Sequence, residues 1–315
     1  MFVENLIFSL NATVPVFLIM VFGWCVRKAG LLDDHTTAKL NKFVFRTLLP
    51  ALLFMDLSTA DFRKVWDGKF ILFCMAATLL SIGAAVLYSL IHKDKAERGE
   101  IIQAAYRSSA AVLGIAFVNN IYGHAQIAAL MIVATVPLYN VAAVVTLSLT
   151  SPDRKKDGSI FKDTVKGIVT NPIILGIAAG IIWSLIGIHQ PVIMTKSISY
   201  LGNMATPLSL TALGASFRIS DAKGKVGITV GVVVLKLFVF CGIFLPAAVH
   251  FGFRGEKLIA ILVMLGSATT GSCFVMAKNF GHKGVITAFA VMLATLGSAF
   301  SLTMWLFILK TLNYI

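Results

Sequence analysis

Residues 106–123 read YRSSAAVLGIAFVNNIYG, and the reading of this stretch decides the fold. It opens on Tyr106 and Arg107, passes through small and hydroxylated residues to Gly114, and ends on Asn119 and Asn120 before Gly123. A lipid-facing helix has no use for such residues. Each unsatisfied backbone amide in hydrocarbon costs several kcal/mol, so irregular backbone survives at that depth only inside protein or beside a wet cavity.

The rest of the chain sets the context. Of 315 residues, 58% are hydrophobic and 13% charged, and the mean hydropathy is +0.88. A soluble domain needs about a quarter of its residues charged, so this is an integral membrane protein. The 27 Lys+Arg against 14 Asp+Glu give +13. In a soluble chain that excess would suggest nucleic acid. Here basic residues in short loops hold the chain against an anionic leaflet, so membrane lipid is the expected neighbour and nucleic acid is not. Cys25, Cys74, Cys241 and Cys273 fall in apolar segments without CxxC spacing or a His cluster. They read as buried small residues, neither a disulfide framework nor a metal site. The N-terminal segment carries Glu4 and lacks the basic region and small-residue cleavage site of a signal peptide, so it is expected to be a retained first span.

A span needs about 20 mainly apolar residues. Ten windows qualify, near 6–26, 40–60, 70–91, 101–121, 126–150, 165–187, 195–217, 226–251, 257–278 and 285–309. With the N-terminus outside, the cytoplasmic links hold 18 Lys and Arg, among them Arg27, Lys28, Arg218, Lys278 and Lys283. The outer side holds 7, namely Arg63, Lys64, Lys69, Lys196, Arg254, Lys257 and Lys310. This bias predicts both termini outside the cytoplasmic membrane.

The chain also repeats itself. A shift of 157 residues superposes Pro15 on Pro172, Gly23 on Gly180, Gly30 on Gly187 and Pro50 on Pro207; a shift of 158 lays Ser109 on Ser267, Ala110 on Ala268 and Gly123 on Gly281. The expected domains are therefore two five-span repeats, 1–157 and 158–315, and an odd span count inverts the second copy. Recurrent Gly and Pro are common in membrane helices, but seven pairs in one order at nearly one offset are not.

The repeat pairs span 4 with span 9, where RSSAAVLGIAFVNN and GSATTGSCFVMAKN share hydroxyls around a small-residue centre. Both are expected to unwind there and cross. Ser109, Thr269, Thr270 and Ser272 would satisfy the freed backbone, and half-helix N-termini would aim partial positive charge at a carboxylate. The same small residues also suit a tight GxxxG-type interface, and the matched position in span 9 favours the crossing. Of the other intramembrane polar residues, Arg107 is expected near the cytoplasmic face, where it snorkels. Lys236, mid-way along span 8 in VVVLKLFVF, is costly unless it meets a partner, a cavity or the interface. Asn119, Asn120 and Asn140 offer carbonyls to a substrate or cation, and Asp56 reads as a solvated span terminus or a proton site. No span centre carries paired carboxylates, which argues against a proton antiporter driven by a carboxylate pair; no Gly-rich nucleotide loop is present, which argues against ATP drive, and neither HExxH nor GxSxG occurs, which argues against enzymatic chemistry.

TVPVFLIMVFGWCVRKAGLL, LNKFVFRTLLPALLF, LGIAFVNNIYG, TNPIILGIAAG, TPLSLTALGAS and FVMAKNFG together resemble, in order and along the whole chain, the auxin efflux carrier family, in particular its bacterial malate or malonate permeases. The resemblance implies an all-α fold of ten transmembrane helices in two inverted repeats with crossed discontinuous helices 4 and 9, similar to bile acid sodium symporters and sodium/proton antiporters. It implies a scaffold of spans 1, 2, 6 and 7 and an elevator-like transport domain of spans 3 to 5 and 8 to 10. The family commonly has proline at the crossing, where Ala116 and Ala268 stand here, and often asparagine where Ser109 stands; this departure predicts a less sharply broken crossing. The positions carried over to the substrate site are Ser109, Gly114, Ala116, Ala268, Thr269, Thr270 and Ser272, with Asn119, Asn120, Asn140 and Lys236 as ion-binding or coupling candidates.

The expected function is alternating-access transport of a small organic anion, without a cofactor, with sodium or proton coupling and a homodimer both left open. A sodium symporter on the same fold and a non-transporting membrane sensor using the same pocket are the alternatives.

Overall fold

The computed structural model describes residues 2–59, 67–111, 118–119, 121–122, 126–152, 169–187, 190–218 and 223–315. Among these residues every regular element is a helix. In chain order they are α1 (Phe2–Lys28), α2 (Asp34–Phe43), α3 (Leu49–Ser58), α4 (Gly68–Leu90), α5 (Lys95–Tyr106), α6 (Gln126–Thr150), α7 (Pro172–Ile186), α8 (Val192–Ser216), α9 (Val226–Val234), α10 (Cys241–His250), α11 (Gly255–Gly266), α12 (Gly271–Asn279) and α13 (Val285–Thr311). Wider π turns, Val44–Leu48 and Leu235–Phe240, join α2 to α3 and α9 to α10. The first has a local cause: Pro50 has no amide to give to the carbonyl of Arg46, and its ring crowds that turn.

Among the described residues, Gly68–Leu90, Ile127–Thr150, Val226–His250 and Val285–Thr311 are long and apolar enough to cross a membrane, and the bent pair α11–α12 makes a fifth such segment. Outward faces remain apolar, with Leu72, Leu87, Ile182, Ile193 and Phe300 all exposed. Cys25 corrects the sequence reading: it is exposed, on the same outward side of α1 as Phe22 and Trp24, while Cys74, Cys241 and Cys273 are buried. Greasy exposure of this kind suits lipid, which imposes no penalty on an apolar face.

Two sets of helices pack internally. In one, α1 lies along α8, α3 along α7, and α8 crosses α3. In the other, α5 is enclosed by α4, α6 and α13, and α11 lies between α6, α10 and α13. Glu100, buried on α5, ties the second set together by accepting from the Gly284 amide at 2.8 Å and from the Thr287 amide and hydroxyl at 3.1 Å, which caps the start of α13. The sets meet where α13 runs along α1 and α12 along α8.

Glycine sets the spacing in the first set. A Cβ at Gly23 on α1 would collide with the carbonyl of Thr211 on α8, and one at Gly214 with the carbonyl of Met20. On α7, a Cβ at Gly180 would lie 2.9 Å from the Phe54 carbonyl oxygen of α3, and one at Gly176 would lie 2.6 Å from that of Pro50. The helices thus touch backbone to backbone, which only glycine allows.

The charged helix ends sort by side. Arg27 and Arg218 both bond Asp34, at 2.7 and 2.9 Å, joining the ends of α1 and α8 to the start of α2. The Arg27 hydrogen bond holds the Asp34 carboxyl below the usual carboxylate range. Lys278 and Lys283 line a cavity beside them. Lys69, Lys257 and Arg254 gather elsewhere: Lys69 donates to the Phe251 carbonyl, Lys257 pairs with Asp67, and Arg254 stacks on Tyr314.

The close contacts predict a sharp contrast. Gly23→Ala and Gly180→Ala should each destabilise by at least about 1–3 kcal/mol through overpacking, whereas Gly83→Ala, with nothing within 4 Å of the added carbon, should not. The thermal unfolding midpoints of the three purified variants in detergent test this.

Candidate functional site

Two helices stop inside the apolar body of the protein. α5 ends at Tyr106, and Arg107 turns extended at φ −77°, ψ 128°. α11 ends at Gly266; Ser267 is extended at φ −76°, ψ 162°, Thr270 is extended at φ −75°, ψ 147°, and α12 starts at Gly271, bent 42° from α11. The second break occurs without proline, at Ala268. Neighbouring Ser, Thr and Gly have weak helix propensity, which lowers the cost of unwinding. Gly114, Ala116 and Asn120 lie outside the described residues, so Ala116 has no structural account.

The breaks satisfy each other. The Ser109 amide donates to the Ala268 carbonyl at 2.9 Å. Thr269 Oγ1 donates to the Ala104 carbonyl of α5 at 2.9 Å, and Ser108 Oγ donates to the Met264 carbonyl of α11, which Tyr139 also reaches. Each break therefore spends a hydroxyl on the orphan carbonyls at the end of the other helix. Gln103 Nε2 adds a bond to the Cys273 carbonyl on α12.

Lys236 completes this arrangement. It lies on the π turn between α9 and α10, is fully buried, and its Nζ donates to the Arg107 carbonyl at 2.8 Å. The residue that sequence marks as the costliest cation thus sits at the carbonyl-bearing end of α5, where the helix dipole favours positive charge.

Arg107 overturns its sequence assignment. It does not snorkel to the interface; it is buried, with Nη2 donating to Asn140 Oδ1 at 2.8 Å and Nη1 against Met276 Sδ at 2.7 Å. The physical reason is depth. α5 begins at Lys95, so a 12-residue helix of roughly 18 Å precedes Arg107. Neither Arg107 nor Lys236 has a carboxylate partner among the described residues, while the buried Glu97 pairs with Lys225 and Glu100 caps α13.

A cavity of about 100 Å³ lies at this junction. Arg107 to Ala111 and Ala268 to Ser272 line it from the two breaks, Val136, Tyr139 and Asn140 from α6, and Thr295 from α13. The opposite wall is Val16 of α1, Leu49, Leu52, Leu53 and Asp56 of α3, and Thr206, Ser209 and Leu210 of α8.

The structure thus brings together Ser109, Ala268, Thr269, Thr270, Ser272 and Asn140 of the sequence-predicted residues. Thr270 and Ser272 hydroxyls lie 2.8 Å apart at the start of α12. Asn140 is already engaged, its Oδ1 by Arg107 and its Nδ2 by the Val136 carbonyl at 2.9 Å. Asn119 is exposed and outside the cavity lining. Asp56, which sequence reads as a solvated span terminus or a proton site, is a half-buried cavity residue, which removes the first of these readings. Ser108, Tyr139, Thr206 and Ser209 went unmarked; the last two stand in the quoted TPLSLT motif, whose hydroxyls beside Pro207 were the available signal.

The bonding predicts unequal costs for the two hydroxyls. Thr269→Val leaves the Ala104 carbonyl without its cross-break donor and should cost about 1–3 kcal/mol. Ser108→Ala should cost less, because Tyr139 still reaches the Met264 carbonyl at 3.2 Å. Denaturation midpoints in detergent, with exposed Thr311→Val as reference, rank the three.

The chain matches the family described as "Membrane transport protein" over residues 8–306. It is 22% identical over 311 residues to a "Putative malonate transporter" of Rhizobium meliloti (strain 1021), covering 94% of each chain. It is 21% identical over 300 residues to an "Uncharacterized transporter" of Methanothermobacter thermautotrophicus (strain Delta H), covering 94% of this chain and 97% of that one. These matches are to transporters and not to enzymes. The match spans nearly the whole chain, so the protein belongs to the membrane transport protein family, of the auxin efflux carrier type.

Proposed function

We propose that this protein is a secondary transporter of a small organic anion, a mono- or dicarboxylate, and that the cavity between the two helix breaks is its binding site. The observation that carries this reading is the buried Arg107 guanidinium, which lines the cavity and is met only by an amide oxygen and a thioether. A buried charge without a counter-charge is costly, and an anion in the cavity offsets that cost. Lys236 adds a second buried cation behind the break. Hydroxyls of Ser109, Thr270 and Ser272 and the start of α12 at Gly271 supply neutral donors around the same space. The name of the Rhizobium meliloti relative makes malonate the first probe.

The reading includes ten spans in two inverted repeats, 1–157 and 158–315. Its support is a pair of contacts: Gly23 against Thr211 and Gly180 against Phe54 exchange when each number is moved by 157. It also includes an elevator-type cycle in which the helices around the breaks move against α1, α3, α7 and α8. The cavity draws its walls from both sets, and the first set is locked by backbone contact, which suits a fixed scaffold. Placement in the cytoplasmic membrane with both termini outside is supported by charge. Arg27, Arg218, Lys278 and Lys283, all assigned inside by their loops, gather at one end, while of the residues assigned outside Arg254 stacks on Tyr314 near the C-terminus, Lys69 bonds the Phe251 carbonyl and Lys257 pairs with Asp67.

Sodium coupling through Asn140 finds no support in this geometry, because its oxygen already accepts from Arg107. In proteoliposomes, [14C]malonate counterflow is expected without sodium. Arg107→Leu should weaken malonate binding by about tenfold to a hundredfold, the equivalent of losing a charge-assisted bond of about 1.5–3 kcal/mol. Ser272→Leu should block the site by bulk. Counterflow by neither malonate nor any other carboxylate, in protein that still binds one, would make the protein a sensor and sink the transport reading.

A further inference from the structure

One acid in the cavity has no part in the binding scheme above. Asp56, on α3, lines the same cavity that Arg107 lines from the first break. It is half-buried, and its carboxyl has no hydrogen-bond or ion-pair partner among the described residues. Three apolar leucines of its own helix, Leu49, Leu52 and Leu53, line the cavity beside it.

Few other groups can answer its charge. α3 carries no second titratable residue, and α7, packed along it, carries none. The π turn before α3 carries Arg46, which is exposed, and α8 contributes Lys196 and Tyr200, both exposed. From α6, Tyr139 lines the cavity but its hydroxyl is held by Ser108 and the Met264 carbonyl. That leaves Arg107 as the other charged group among the described residues that line this cavity.

The consequence is a competition. An ionised Asp56 balances Arg107 through the low-dielectric space between them, so an entering carboxylate meets a like charge and a guanidinium already compensated. Two carboxyl groups sharing one such site hold a proton between them in preference to both ionising. We propose that Asp56 is a proton-controlled gate on loading: binding of a carboxylate at Arg107 takes up one proton on Asp56, and ionisation of Asp56 opposes binding. This rests on the reading of the cavity as a carboxylate site. The balance is a proton from solvent onto one Asp56 oxygen, returned when the anion leaves.

Calorimetric titration of the purified protein with malonate tests it, between about pH 6.5 and 8.5, where malonate is fully ionised and carboxyls of ordinary pKa are too. In buffers of different ionisation enthalpy, the wild type should take up close to one proton per malonate bound. Its Kd should rise with pH, approaching tenfold per unit at the alkaline end. Asp56→Asn should bind without proton uptake and with a flat pH profile, and Asp56→Glu should restore both. Malonate binding by the wild type with no proton uptake, or a pH dependence that survives in Asp56→Asn, overturns the gate and leaves the carboxylate site standing. If Asp56→Asn fails to fold, wild-type proton uptake retained by Asp56→Glu with a displaced pH profile carries the assignment, and its absence in the wild type refutes it. No carboxylate binding at any pH overturns the site itself, and the gate with it.

Discussion

A helix interrupted within hydrocarbon must find partners for the backbone groups it releases, and the rest of this structure follows from how that is done. Each orphaned carbonyl left bare would cost about 1–3 kcal/mol in a protein interior, so two breaks placed apart would be a heavy burden. Placed together, they answer one another: Thr269 serves the end of α5, Ser108 serves the end of α11, and the Ser109 amide closes on Ala268. The arrangement is reciprocal, so neither break is stable in this form without the other. That dependence accounts for the long-range packing of α5 and α12 and for the burial of nearly every residue from Glu97 to Tyr106.

The same requirement concentrates positive charge. Carbonyls at helix ends are acceptors with partial negative charge, and the donors that reach them include the Lys236 ammonium. Arg107, held in the extended turn just after α5, cannot leave for water without unwinding the junction. Two cations are therefore fixed in a region where charge is expensive, as part of what makes the breaks possible. Arg107 brings part of that positive charge to the cavity, which supports the proposal of an anionic ligand there.

How much of this was legible in the chain follows from what sequence encodes locally. The break at Ala268 could be read without a proline because its neighbours are Ser267, Thr269, Thr270 and Gly271, and because residues 106–123 repeat the pattern one half-chain earlier. Hydroxyls competing for backbone are a short-range property. Depth is not: a hydropathy window starting at 101 puts Arg107 near a surface, whereas the helix actually begins at Lys95, and six residues move the guanidinium by roughly 9 Å. The solvated-terminus reading of Asp56 fails for the same reason, since its burial in the cavity depends on α8 and the breaks and not on its place near the end of a span. Lys236 was recognisable as anomalous, but its partner is a carbonyl 129 residues away, which no local pattern announces.

The two helix sets differ in the kind of contact that holds them, and the difference bears on which one can move. In α1 with α8 and α3 with α7, backbone meets backbone through Gly23, Gly214, Gly176 and Gly180, so any sliding would drive a carbonyl into a neighbouring helix. Around the breaks the contacts are directional hydrogen bonds internal to the second set, from Glu100 to α13 and from Gln103 to α12. Across the seam, beside the polar groups of the site, the cavity carries apolar faces, Leu49, Leu52, Leu53, Val16 and Leu210 on one set and Ala110, Ala111, Ala268 and Val136 on the other. Apolar contacts of that sort are non-directional, and shifting them exchanges one set of similar contacts for another. One set locked by backbone contact, a second held by its own hydrogen bonds, and apolar faces between them support the proposed elevator-type cycle, in which a binding site must travel without coming apart.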